Sequence, residues 1–433
     1  MKSQRARLAL VGLATLAGCW FAAVFVVLPF VWGVPLAPGH DFKVYYEGAV
    51  RFRHGQPLFS AFLQGQPATP MAYEFISPPL FAVMMLPFTL LPQPEAIQAW
   101  ALLNYALFVP IIVLLARLPG GPEPLVKGAW LMLAMTGSYL PLGTVVHGQT
   151  NLLVLLALAA ALWCFERARD RAASLWLTFG LHVKLVTLAP LLVLARWRPR
   201  SMLAPLLGIS LAVLVAMPYQ HWLFARALRW VMTRDRLAPH NQSPQAFVKR
   251  FLMQDPVVSA APEYAPWLDR PELAKALAAL LALALLTLTL RALLPRPRNR
   301  DEMRLAFSLM ILALLVTPRI TEFHHMTWSL ISLAVLGMHV AERCAGRART
   351  LLLSSLPLAW IAVSFSPFTP GIDHLVRPLL FTRLGPLVAG YSALGLLWLF
   401  GLNWWLLVRA QREPCAKLHF RAANVRERTL QTL

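Results

Sequence analysis

The sequence predicts an all-helical protein that crosses a lipid bilayer repeatedly, with about ten spanning helices. Composition is the first observation: of 433 residues, 58% are hydrophobic and only 14% are charged, against about 25% charged in soluble domains. Such a chain has too little polar surface to cover a globule in water and uses lipid as its solvent. The second observation is a recurrence of apolar runs along the whole chain. The third is the placing of the cations, which collect between those runs.

The apolar runs lie near 8–33, 76–92, 94–118, 128–146, 150–166, 172–195, 201–218, 273–293, 304–318, 323–341, 349–367 and 384–409. A full span needs roughly 20 residues, so 304–318 is short. The first run, from Leu8 to Val34, is too long for a signal-peptide core and lacks a small-residue cleavage site, so it is expected to remain as a span. Segment 76–92 opens with Ser77-Pro78-Pro79, carries Pro87 and stops at Pro92 and Pro94. Proline removes a helix donor and ends or kinks a helix, so this segment is expected to dip into the membrane without crossing. Segment 172–195 has basic runs on both sides and a polar break, Gly180-Leu181-His182-Val183-Lys184, in its middle; it is expected to enter and return. No internal repeat or low-complexity linker divides the chain, which reads as one membrane domain over 1–433.

The 40 Lys and Arg against 19 Asp and Glu give a formal charge of +21. Nucleic acid is a poor explanation, because the basic runs lack the aromatic interleaving of a strand-binding groove. The cations fall at Lys2 to Arg7, Arg167 to Arg171, Arg196 to Arg200, Arg296 to Arg304, Arg343 to Arg349 and Arg409 to Arg421, as in the cytoplasmic loops of membrane proteins. With the N-terminus inside and both odd segments re-entrant, every basic run falls on the cytoplasmic side, the basic tail at 410–433 included. The connections 34–75, 147–149, 219–272, 318–323 and 368–383 then fall on the other. Cys19, Cys164, Cys344 and Cys415 lie far apart, with no spacing that suggests a metal or redox pair.

An ionisable group at membrane depth is costly and points to function. After the first run comes Asp41-Phe42-Lys43-Val44-Tyr45-Tyr46-Glu47-Gly48-Ala49-Val50-Arg51-Phe52, whose apolar residues recur at helical spacing. It predicts a short helix flat in the headgroup layer, and Asp41 sits where it could serve only as the N-cap. Further polar clusters on the same side are His147-Gly148-Gln149-Thr150-Asn151, then Asn241-Gln242-Ser243-Pro244 with Lys249 and Arg250, and Thr317-Pro318-Arg319-Ile320-Thr321-Glu322-Phe323-His324-His325. Each reads alone as an ordinary turn or cap; together they place one acid, amides, imidazoles and cations on one face. Adjacent histidines point about 100° apart on a helix, so His324 and His325 are not expected to share a metal, and no metal or other cofactor is called for. Transfer of a sugar from a lipid phosphate to a hydroxyl needs such a set: a carboxylate base for the hydroxyl, and fixed positive charge for the leaving phosphate.

The order Asp41-Phe-x-x-Tyr45-Tyr46, Gly55-x-Pro57-Leu58, Ser77-Pro78-Pro79-Leu80-Phe81, Gly148-Gln149-Thr150-Asn151, Lys184, Asn241-Gln242-Ser243 and Thr317-Pro318 to His324-His325 resembles glycosyltransferase family 87. The resemblance runs from about residue 8 to about 340. It implies the C-type glycosyltransferase fold, in a bacterial inner membrane with the active site on the extracytoplasmic face. It implies a polyprenyl-phosphate sugar donor, mannose by default, a lipid-anchored or glycan acceptor, and inversion. Carried over, the catalytic aspartate falls on Asp41. Gln149 and Asn151 fall at the donor sugar or phosphate, with Lys184, His324 and His325 beside them; Arg319 is expected with them at the donor phosphate, and Tyr45, Tyr46, Asn241, Gln242, Arg250 and Glu322 at the acceptor or in loop contacts. A Trp common shortly before the paired histidines is replaced here by Arg319-Ile320-Thr321-Glu322-Phe323, which adds charge. The reading from another class is a multi-pass transporter or flippase, since broken helices suit one; the absence of a repeat and the one-sided polar groups count against it.

Overall fold

A computed structural model describes residues 2–59, 75–233, 237, 240–254, 266–365, 369, 373–380 and 382–412. Most of the basic tail with Cys415, and 60–74 of the first long loop, lie outside the described residues. Within them the secondary structure is helical, and the one β pairing is an isolated bridge between Asn241 and Glu322.

Among the described residues, five helices are long and apolar enough to cross a membrane: Gln4–Val27, Gln93–Ala116, Pro199–Ala216, Pro271–Leu293 and Gly385–Arg412. Pro124–Thr136 and Tyr139–His147 make a sixth if the pair, bent by 56°, is one span. The bend has a local cause. Gly137 ends the first helix, and the Ser138 hydroxyl accepts the Leu140 N–H at 3.2 Å to cap the second. The expected ten or so spans are thus fewer as single long helices, because several apolar runs are broken or short. Asn151–Glu166 rises about 24 Å over its 16 residues, less than a hydrocarbon core of about 30 Å. Its residues are nearly all buried, like those of Arg300–Val316, whereas Gln4–Val27 is only 11% buried. Apolar helices belong in the core or in lipid, and the fold uses both: 151–166 and 300–316 are buried inside, and the long helices turn apolar side chains outward.

Segment 172–195 doubles back as its sequence anticipates. Helix Asp170–Val183 stops at Lys184, which is extended, and the chain resumes through the turn Leu185–Thr187 into helix Leu188–Trp197. Thr187 Oγ1 donates to Leu177 O at 3.0 Å, and Gly180 gives the returning Thr187 room. The hairpin closes where Arg198 NH1 meets the Asp170 carboxylate at 2.6 Å. Segment 76–92 forms only the helix Pro79–Met84 and the 3-10 turn Leu86–Leu90, broken at the prolines.

Contacts gather the basic connections at one end of the molecule. Arg304 lies between Glu166 and Asp301, at 3.5 and 2.7 Å, and donates to Pro119 O at 2.5 Å. Asp301 also pairs with Arg343, Glu342 accepts the Gly121 N–H at 2.7 Å, and Arg298 donates to Ala410 O at 2.7 Å. Arg7 reaches Glu123 at 2.7 Å. The common side deduced for the basic runs from charge is therefore one physical surface for the described runs. A spanning segment would put residues 170 and 198 on opposite faces. With Asp170→Cys and Arg198→Cys in a background lacking the native cysteines, a short bis-maleimide is expected to crosslink the two within one chain, and both to label from the same side of sealed vesicles. Labelling from opposite sides would refute the hairpin.

Candidate active site

The first polar element begins at Gly39, whose left-handed φ of 59° starts helix His40–Arg53. Gly39, not Asp41, is the N-cap. Asp41 stands in the first turn with its side chain uncommitted to capping, so the bland reading of this acid is corrected. The helix buries Phe42, Tyr45, Gly48 and Ala49. Phe42 meets Trp100 and Phe88 with ring centroids 5.5 and 5.7 Å apart, and Tyr45 meets Phe81 at 5.2 Å. Its inner face packs on protein, because aromatic partners arrive from Pro79–Leu90 and Gln93–Ala116.

The Gly148 turn completes this arrangement. Gly148 has φ +71°, and a Cβ there would lie 2.7 Å from Phe42 Cβ. Only glycine suits both the left-handed backbone and that approach. Gly39 N donates to Val146 O at 3.1 Å, and Trp100 Nε1 to Gly148 O at 2.9 Å. Gln149 thereby reaches the acid: its Nε2 donates to Asp41 Oδ2 at 2.6 Å, and its Oε1 accepts from Tyr45 OH at 3.2 Å. Burial pushes the Tyr45 hydroxyl up, the Asp41 carboxylate adds to it, and the phenol stays a donor.

Two residues further on, Asn151 Oδ1 accepts from Lys184 Nζ at 3.1 Å. Lys184 stands in the hairpin break, where the extended backbone turns its side chain across to the turn Phe323–Trp328. Its Nζ lies 2.7 Å from His325 Nε2. Glu322 caps that turn, and its backbone N–H donates to His325 Nδ1 at 3.3 Å. The His325 ring stacks on Trp328, tilted by 18°, and Trp328 Nε1 donates to Asn151 O at 3.2 Å. His324 is buried, with Nε2 3.1 Å from Glu322 Oε2, and its ring is 6.3 Å from that of His147. An acid held by an amide at one side and a cation held by an amide and an imidazole at the other thus share one cluster. The 151–166 helix separates it from the basic end at Glu166.

Several expected site residues serve the cluster from behind. Asn241 Oδ1 accepts from Thr321 N and Ser243 N at 2.9 and 3.1 Å, and its Nδ2 donates to Arg319 O at 2.9 Å. Gln242 Nε2 donates to Ala389 O at 2.7 Å. Arg250, fully buried, donates from Nε to Leu237 O at 2.8 Å and from a second nitrogen to Asn241 O. Asn241 thus braces the 319–322 segment that presents Glu322 and the histidines; the Gln242 backbone N–H adds a bond to Thr321 O at 2.6 Å, and Arg250 holds Asn241 from behind. Arg319 is brought in by its carbonyl, and its side chain is exposed. Tyr46 is not brought in; it donates to Leu91 O at 2.9 Å. His182 faces Ser210, 3.4 Å away, rather than Lys184. Sequence reasoning missed Trp328 and Trp100. The aromatic three residues beyond the paired histidines was the available signal for Trp328; Trp100, inside an apolar run, left none.

The histidine pair needs a correction. Ligand atoms of Glu322, His324 and His325 lie within 4.8 Å of one another, a set that could hold a metal ion. Backbone angle sets only where each Cβ points, and the two imidazoles fold back edge to face, with centroids 4.7 Å apart. Against a metal, Lys184 Nζ already lies 2.7 Å from one of the ring nitrogens, His325 Nε2.

The chain belongs to glycosyltransferase family 87, whose model matches residues 75–318, more than half of its length. The membrane-spanning helices and this family together make it a membrane glycosyltransferase, an enzyme that takes a sugar donor and an acceptor. The match includes the Gly148 turn, Lys184 and the Asn241 brace; Asp41 and Glu322 to His325 lie outside it. No curated protein and no solved structure matches the chain.

The Gly148 geometry makes Gly148→Ala a sharp test. Strain at positive φ destabilises by more than about 1 kcal/mol, and the clash with Phe42 adds to it. A lowered melting temperature in detergent is expected, together with lost activity. A variant as stable and active as the parent would refute the close packing of this turn on the Asp41 helix.

Proposed function

We propose that the protein moves a hexose, mannose by family resemblance, from a polyprenyl-phosphate sugar to a hydroxyl of a lipid-anchored or cell-envelope glycan, with inversion at the sugar carbon. The observation that carries this reading is one cluster holding the Asp41 carboxylate beside Gln149 and the Lys184 ammonium beside Asn151 and His325. Asp41 takes the acceptor hydroxyl proton as its oxygen forms the new bond to the anomeric carbon. The bond from that carbon to the phosphate oxygen breaks, and the phosphate leaves with the electron pair. Lys184, with His324, His325, Asn151 and the exposed Arg319, meets the charge that develops there. Inversion requires base and leaving group on opposite faces of the ring, a role for the Asp41 and Lys184 ends of the cluster respectively. Glu322 and Tyr45 border the acceptor side, and Asn241, Gln242 and Arg250 act as braces.

The polar end faces the extracytoplasmic side of a bacterial inner membrane in this reading, because the arginine-rich end is the one retained inside. A transporter is the weaker reading: its polar groups would line a path between the two ends, whereas the 151–166 helix between them is lined by Leu, Val and Ala.

Purified protein in lipid, offered a panel of polyprenyl-phosphate sugars, is expected to consume one of them. Asp41→Asn should lower turnover by roughly 10²- to 10⁴-fold while donor binding persists. Full turnover by that variant, or no consumption by the parent with any donor, sinks the proposal. A second test follows from Lys184 Nζ lying 2.7 Å from His325 Nε2, beside the three side chains that could hold a metal. Activity is expected to survive prolonged chelation, and loss restored by added divalent ion would transfer the phosphate-binding role to a metal on Glu322, His324 and His325.

A further inference from the structure

We infer that Gln149 is a positioning residue for Asp41 rather than a ligand of the donor, and that Tyr45 acts through it. This deepens the reading of Asp41 as general base and rests on it. A carboxylate only accepts hydrogen bonds, so the face of the Gln149 amide toward Asp41 must be its nitrogen. The contact is short, 2.6 Å, as charge-assisted hydrogen bonds are. The amide oxygen then points to Tyr45, whose hydroxyl must donate, and does so at 3.2 Å. The two contacts enforce one orientation of the amide. Its backbone is held as well: Gln149 N donates to Thr144 O at 2.9 Å, behind the left-handed Gly148. Only 7% of Gln149 is exposed, which leaves little of it to touch a sugar phosphate.

The consequence falls on the acid. Oδ2 is tied to Gln149, while Oδ1 accepts no hydrogen bond among the described residues. The tether therefore fixes the plane of the carboxylate, and the oxygen left over is the one offered to the acceptor hydroxyl. Such orientation matters to rate, since misplacing a reacting group by about 1 Å can cost 10²-fold.

Three single variants and one double variant test this in the purified full chain, using the polyprenyl-phosphate hexose that the parent consumes. Gln149→Leu removes the tether. Gln149→Glu keeps its shape but sets an acceptor against Oδ2. Tyr45→Phe leaves the tether but frees the amide to turn over. Expected are a kcat lower by about 10²-fold for both Gln149 variants with donor KM within about twofold, a smaller kcat loss for Tyr45→Phe, and a double variant no worse than Gln149→Leu, the non-additivity of residues that act as a unit. A donor KM that rises at unchanged kcat, or losses in the double variant that simply multiply, overturns the inference, and the mild Tyr45→Phe gives the answer even if Gln149→Leu fails to fold. If instead Asp41→Asn keeps full turnover, it is the general-base reading that has failed, and the positioning role falls with it.

Discussion

The hydrogen bond between Gln149 and Asp41 joins residues 108 positions apart, and the rest of the polar cluster is arranged around what makes it possible. Gly148 has no Cβ, so the turn after Tyr139–His147 can sit on Phe42 and bring the next side chain to the acid. Trp100 and Val146 secure the same approach from the backbone. Two residues beyond, the start of the 151–166 helix delivers Asn151 to Lys184. One tight turn thus sets the distance between the carboxylate and the cation. A methyl group at its glycine would push apart the two halves of the site.

The cation owes its place to a second constraint. A lysine in the middle of an uninterrupted apolar helix would meet lipid or core; here the helix stops at Val183, and the extended Lys184 reaches into the cluster. The return of the chain to Arg198 and Asp170 keeps both ends of this hairpin at the basic surface. Lys184 is therefore carried to the polar end by an element anchored at the other. Across the molecule, acids at the basic end are matched to arginines, as Glu166 and Asp301 are to Arg304. At the polar end the acids face amides, imidazoles and one lysine instead. Charges in the first group neutralise one another, whereas in the second Asp41 and Lys184 are held by the amides of Gln149 and Asn151.

Support for the paired histidines comes from farther out. The segment 319–323 has almost no regular structure of its own, and its backbone groups are satisfied by Asn241, Ser243 and Gln242 and by the bridge from Asn241 to Glu322. Buried backbone groups without partners are costly, so this strand keeps its course only while the brace is present. The stack of Tyr139 on Phe323, with centroids 5.6 Å apart, ties the same strand to the helix that ends in the Gly148 turn. Acid, cation and imidazoles are thereby referred to one frame.

Much of the fold was legible from periodicity and charge alone. Runs of apolar residues placed the helices, and a polar break between two basic flanks marked the hairpin at Lys184, because cations resist crossing and a lysine resists lipid. Family resemblance led to the expectation that Asp41, the Gly148 to Asn151 turn, Lys184 and the histidines lie together, and hydrogen bonds do link them into one cluster. Helix continuity was less legible, since hydropathy counts apolar residues and is blind to where the backbone breaks. The sequence by itself determined that the chain lives in lipid, which of its connections share the basic surface, and which polar residues demand an explanation, because solvation cost depends on residue type. Only the tertiary structure decided that Gly39 rather than Asp41 caps the first polar helix, that Asn241, Gln242 and Arg250 spend themselves on backbone, and that Gln149 holds the acid. Those outcomes depend on which partners arrive from distant helices, and no local pattern records that.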